Sequence, residues 1–142
     1  MSPVTITRTT INRNGKGWDR QKESFEGVRH ERNNKVYLQF KDQLSDDEEP
    51  VPSLLTIENN MVRLHRNGSF GGDMVFALGE SMQIDYHTPM GVLAMELATS
   101  RADVFLSEEV VEVDLQYQIF SEGELLSDID MRIRAVCSAE LT

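Results

Sequence analysis

From Val111 the chain runs Val-Glu-Val-Asp-Leu-Gln-Tyr-Gln-Ile, with an apolar group at every odd position through Ile119. Ile129 to Ala135 repeat the pattern as Ile-Asp-Met-Arg-Ile-Arg-Ala. Successive side chains of a strand point to opposite faces, so a period of two marks a strand with one buried and one wet face. Helical periodicity is weak throughout. Only Gly15 to Ser24 could hold a short helix, and two glycines within it count against one.

The turns cut this alternation at short intervals, and parity tests each of them. Directly opposed residues of a hairpin share a face, so the two buried sets fix whether a loop is odd or even. A two-residue loop at Asn59-Asn60 pairs Ile57 with Val62 and Leu55 with Leu64, and asparagine tolerates the positive φ of the favoured turns. Five loop residues, 67–71, bring Met74 and Phe76 against Val62 and Leu64. A three-residue loop, Gly79-Glu80-Ser81, would pair Met74, Phe76 and Leu78 with Met82, Ile84 and Tyr86, and a four-residue loop from Thr88 to Gly91 puts Tyr86 with Leu93. The last hairpin, around Gly123, needs an odd loop.

These constraints give ten strands, near 3–12, 24–32, 35–42, 53–58, 61–66, 72–78, 82–87, 92–99, 110–120 and 125–136. Most neighbours are joined by tight connections, so the fold expected is an all-β antiparallel meander. A strongly twisted sheet of this size closes on itself, which removes its edges. At 142 residues the chain is sized for a single domain spanning 1–142.

Charge narrows the choice of partners. The net charge of −10 repels phosphate backbones, which argues against nucleic acid and anionic membranes as partners. Residues 1–40 carry 8 basic and 4 acidic side chains, so a local basic face survives this argument. Cys137 is the only cysteine, the segment from Met1 to Ile11 lacks a signal peptide's apolar stretch, and no apolar run would span a bilayer. The address expected is cytoplasmic.

The segment from Arg66 to Thr99 resembles the pattern of uncharacterised bacterial proteins of the YwiB type, assigned to the lipocalin-like (calycin) barrels. Arg66-x-Gly68, Met74 and Phe76 before Gly79, Tyr86-x-Thr88, Gly91 and Thr99 carry the likeness, with Tyr117 in the penultimate strand. Glu26-Gly27 and the strand from Val36 to Phe40 fit more loosely. The resemblance implies a calycin-like barrel and brings no activity with it. The Gly-x-Trp motif of classical lipocalins is replaced by Gly15-Lys16-Gly17-Trp18, whose spacing is wrong for it.

Candidate chemistry is sparse. His30, His65 and His87 lie on different strands and face outward by parity, and Cys137 has no glycine elbow, so no catalytic constellation assembles and no enzyme is expected. Cys-x-x-Cys, helical His pairs and EF-hand loops are absent, so no metal or cofactor is expected; the acidic stretch 45–52 reads as a solvated loop. Gly68 to Gly72 lacks the helix and lysine of a phosphate cradle.

The barrel interior is the better candidate. A wide barrel either fills its centre or holds a ligand, and its lining here includes Met74, Met82, Tyr86 and Tyr117. A two-residue loop at Asn33-Asn34 also sets Glu31 opposite Val36 and Arg29 opposite Leu38, which turns two charges inward near a barrel end. One reading makes them wet residues of a bulged strand; the other makes Arg29 the holder of a carboxylate or phosphate head group, with Glu31 its counter-ion. The function expected is binding of a small, largely apolar ligand through Arg29, Glu31, Tyr86, Tyr117, Met74 and Met82. The rival is an interaction module acting through the outer face, where Val75, Ala77, Val92, Ala94 and Ala98 form an apolar strip suited to a homodimer.

Overall fold

The alternating segments form ten strands: β1 (Ser2–Asn14), β2 (Gly17–Arg32), β3 (Lys35–Asp42), β4 (Val51–Glu58), β5 (Met61–Arg66), β6 (Gly72–Phe76), β7 (Ser81–Thr88), β8 (Gly91–Leu106), β9 (Val110–Ser121) and β10 (Glu124–Cys137). The structure is a computed structural model that describes residues 2–42, 50–59, 61–66, 72–88 and 91–138, without the side chains of 72 and 86–88. One antiparallel sheet takes in every strand in the order β6-β5-β4-β3-β2-β1-β10-β9-β8-β7. It curls into a nearly closed barrel, with β6 and β7 side by side at the seam. The all-β antiparallel meander of ten strands expected from the sequence is the fold observed.

Two long strands make the curvature. β2 pairs with β1 from Gly17 to Arg29 but with β3 only from Gly27 to Arg32, so it leaves one neighbour as it meets the other. Gly27 sits at that crossing, and a Cβ there would stand 2.5 Å from the Gln39 carbonyl oxygen and 2.9 Å from Ile6 Cδ1. Only glycine lets the strands approach so closely. β8 does the same on the other side, pairing with β7 up to Ala98 and with β9 from Glu96 to Leu106, with a bulge at Ser100 between Thr99 and Arg101.

The inward rows pack as the alternation requires. Leu38, Leu55, Val62, Leu97, Val111 and Leu115 are almost wholly shielded from water. Phe76 lies against Tyr117, with ring centroids 4.7 Å apart. Three registers match the parity argument directly: Ile57 faces Val62, Leu64 faces Met74, and Tyr86 faces Leu93. The Asn33-Asn34 turn has φ of 54° and 66°, the left-handed pair that a tight hairpin demands.

Other expectations need correction. Gly15 to Ser24 holds no helix; Gly15 and Lys16 make a tight turn, and β2 begins at Gly17. The side chain of Asn14 caps that turn by accepting the Lys16 N–H at 2.8 Å. β6 and β7 form no ladder and are the two edges of the sheet, so Leu78 projects into solvent at 65% exposure. Leu93, also expected inside, is 50% exposed because the end of the β7–β8 hairpin runs past the packed core. That hairpin closes at the Thr88–Gly91 pair, two residues tighter than expected. The last hairpin reaches its odd count differently: Glu122-Gly123 is an even turn, and a bulge at Leu126 adds the odd residue. The acidic stretch through Glu49, the loop 67–71 and the side chains of Tyr86 and His87 lie outside the described residues.

Candidate functional site

Three inward rows end in a charge. Val4 and Ile6 on β1 lead to Arg8; Val36, Leu38 and Phe40 on β3 lead to Asp42; Val62 and Leu64 on β5 lead to Arg66. Strand alternation therefore delivers all three side chains to one end of the barrel interior. Asp42 is 0% and Arg8 6% exposed.

They are joined by charge-assisted hydrogen bonds. Arg8 meets Asp42 fork to fork, Nη1 donating to Oδ2 and Nη2 to Oδ1, each at 2.9 Å. Arg8 also donates to Glu23 Oε1 from Nη2 at 2.8 Å and from Nε at 3.1 Å. The Phe25 ring lies under its guanidinium, 5.1 Å from centroid to Cζ. Arg66 reaches Asp42 Oδ2 from the other side, with Nη2 at 3.0 Å and Nε at 3.2 Å. Two cations and two carboxylates thus cancel.

Burial alone would raise the Asp42 pKa, but hydrogen bonds and charge from Arg8, and then Arg66, outweigh it and hold it below the ordinary carboxylate value. Burial likewise pulls on Arg8, and Asp42 and Glu23 more than reverse the effect, raising its pKa. Both shifts favour the charged forms of Asp42 and Arg8 at neutral pH.

Beside this cluster the interior is open. A cavity of about 300 Å³ lies between β1, β5, β6, β7, β8, β9 and β10. Met74, Ile84, Met95, Ile119 and Ile129 give it apolar walls, and Tyr117 belongs to the same lining. Arg66 and Asn12 are its polar groups, with Ser127 near the β10 bulge. Arg66 spends Nε and Nη2 on Asp42, and its Nη1 has no partner among the described residues. Asn12 Oδ1 is buried without a partner among them as well. An unpaired buried acceptor is costly and has to be explained by something it can meet.

The residues singled out from sequence divide between the barrel's ends. Met74 and Tyr117 line the cavity. Met82 is half-buried against the core, and its Sδ accepts the Val75 N–H across the seam at 3.4 Å. Tyr86 lies on β7 opposite Leu93. Arg29 and Glu31 keep the regular register expected for them, without a bulge, and form an ion pair at 3.0 Å. Arg29 is buried, while the Glu31 side chain is mostly exposed. Arg29 also donates from Nη1 to the Glu108 carbonyl at 3.3 Å, at the β8–β9 turn. Leu38, which Arg29 faces, is four residues from Asp42 on β3, roughly 13 Å along the strand. The Arg29 pair therefore belongs to the opposite end from the cavity, whose cation is Arg66.

His30 and His65 do not converge. His30 stacks on Tyr37 at 5.5 Å, and His65 bonds Asp73 through Nδ1 on the outer surface. Among the described residues no three His, Cys, Asp or Glu side chains are grouped so as to hold a metal ion. No helix among them is long and apolar enough to cross a membrane.

Comparison with known proteins supports the same architecture. The crystal structure of the ywiB protein from Bacillus subtilis superposes with a TM-score of 0.86 at 19% identity, over 97% of this chain and 93% of that one. Likeness at that identity speaks for the fold alone. No curated protein matches the chain. Residues 4–133, from the start of β1 into β10, match a family described as a domain of unknown function. The chain belongs to that family, DUF1934.

Proposed function

We propose that this protein is a non-enzymatic binding barrel whose interior cavity takes a small, largely apolar molecule with one polar head. The observation that carries this reading is the buried Asn12 Oδ1, without a partner among the described residues, in a mainly apolar cavity that Arg66 also lines. Ligand pockets combine apolar walls with a few polar groups that fix orientation, and about 300 Å³ is at the small end of their range. The head group follows from the pairing. Arg66 donates to it, Asn12 accepts from it, and Asp42 already neutralises the guanidinium. A hydroxyl, a primary amide or a protonated carboxyl satisfies both partners. The site of action is the cytoplasm, on the strength of the lone free thiol of Cys137.

Native mass spectrometry of protein purified from its own host, followed by solvent extraction, tests the reading directly. A bound mass in the wild type is expected. Met95→Trp fills the cavity and is expected to remove that mass while leaving the strand spectrum in circular dichroism unchanged. A wild type free of bound compound, or a Met95→Trp protein that retains it, would sink the proposal.

A further inference from the structure

Beyond Thr99, the side of β8 that faces away from β9 has no partner strand among the described residues. β7 pairs only as far as Ala98, and the β6–β7 turn adds two bonds at Thr99: the Gly79 N–H to the Thr99 carbonyl and the Thr99 N–H to Glu80, each 3.0 Å. From Ser100 to Leu106 the strand is paired on one side only. The direction of its backbone groups follows from the β8–β9 turn. There the Ser107 N–H donates to the Val110 carbonyl at 2.9 Å. Antiparallel ladders alternate, so Arg101, Asp103 and Phe105 bond β9, and the N–H and C=O of Ala102, Val104 and Leu106 point outward.

This edge lacks the usual protection. Open edges are blunted by lysine, proline or inward-pointing charges. The other long open edge, β2 from Gly17 to Glu26, carries Lys22 together with Asp19 and Glu23 on its inward parity. Ser100 to Leu106 has no lysine or proline and sets Phe105 at 57% and Leu106 at 46% exposure beside the unpaired groups.

We propose that this edge is a homodimer interface, in which β8 of two copies pair antiparallel about a two-fold axis at Ala102. Only registers that oppose two outward-pointing backbone groups can bond, which leaves axes at Ala102, Asp103, Val104 or Phe105 within the strand, and an axis at Phe105 sets Asp103 against Ser107 with no charge to meet it. An axis at Asp103 sets that carboxylate against its own copy, and like charges directly opposite are destabilising. An axis at Val104 sets Asp103 against Phe105. The axis at Ala102 sets Arg101 against Asp103 twice, once on each side. Both side chains are largely exposed, and within one subunit Arg101 makes only loose contacts of 3.8 Å, to Asp103 and to Asp114, which leaves it able to turn to a partner. The self-complementary pair identifies the occupant as a second copy of this chain. The −10 net charge does not oppose it locally, because the paired segment is neutral. The strip expected from sequence is less suited, since Val75, Ala77 and Ala98 are half-buried against their own neighbours.

Sedimentation velocity over a concentration series reads the association. The wild type is expected to shift from monomer to dimer as concentration rises. Arg101→Asp opposes two carboxylates on each side of the axis and is expected to weaken the dimer about tenfold or more. Arg101→Asp combined with Asp103→Arg exchanges the charges and is expected to restore it, a rescue that no other surface would produce. Both positions are exposed, so circular dichroism is expected to stay the same for each variant. Ala94→Arg, on the outer strip, is expected to leave the dimer intact. A wild type monomeric at every concentration, a charge reversal without effect, a double variant that stays weak, or loss of the dimer with Ala94→Arg would each overturn the proposal.

Discussion

Asp42 accepts three hydrogen bonds from two arginines, with Arg66 Nη2 a further ion-pair contact at 3.0 Å, while fully excluded from water. Removing one partner of such a pair leaves the others buried and uncompensated, so Asp42→Asn is expected to cost about 3–5 kcal/mol in urea denaturation at neutral pH. The cost should depend on pH in a definite direction. The folded pKa of Asp42 is lowered, so its contribution is fully present above the unfolded value of 3.8 and decays as acid carries the pH down toward the folded value. The gap between wild type and Asp42→Asn should therefore narrow below about pH 4. A gap that is constant across that range would mean that Asp42 stabilises by shape alone. The cluster was legible in principle. Arg8, Asp42 and Arg66 each continue an inward row by one step. Reading each row as ending at its last apolar residue hid them. Arg29 and Glu31 stand out more readily, because they interrupt an alternating row and do not extend it.

Strand elements were legible wherever alternation and turn length spoke together, as in the Asn33-Asn34 hairpin and the Ile57–Val62 pairing. Bulges were where that logic failed. A bulge adds one residue and exchanges the faces, so an even turn plus a bulge at Leu126 has the same parity as an odd loop. At Ser100 the exchange hid half a strand: Leu93, Met95 and Leu97 keep odd parity, while Ala102, Val104 and Leu106 continue on even positions. Taken as one alternation, the pattern ends at Thr99. Close approach of two elements is equally silent in a single sequence, and Gly27 is the case in point. Its absent Cβ would meet a backbone carbonyl at 2.5 Å, and backbone cannot swing aside as a side chain does. Gly27→Ala is expected to destabilise by about 1–3 kcal/mol, the usual range for overpacking, read as a drop in Tm. An unchanged Tm would show that β2 and β3 can separate freely at their crossing.

At the scale of the whole molecule, closure is the weak point of the barrel and bears on access to its cavity. The seam between β6 and β7 has no ladder. Among the described residues it is crossed by the Val75 N–H to Met82 Sδ contact, while two bonds tie the β6–β7 turn to Thr99 of β8. A thioether sulfur is a weak acceptor, so this tie is easily broken. Met74 and Ile84, one on each side of the seam, both line the cavity, so parting the edge strands opens a route between them. Local opening is cheapest where backbone bonds are fewest, and amide exchange reports it. The amides of β6 and β7 are accordingly expected to exchange faster than those of β9 and β10, which are bonded on both sides. Met82→Leu keeps the side-chain volume and deletes the sulfur, so the Val75 amide should exchange faster while global stability changes by less than about 1.5 kcal/mol. If β6 and β7 are instead protected as well as β9, the seam is not the way in, and the half-exposed Leu126 of the cavity lining marks the next route to test.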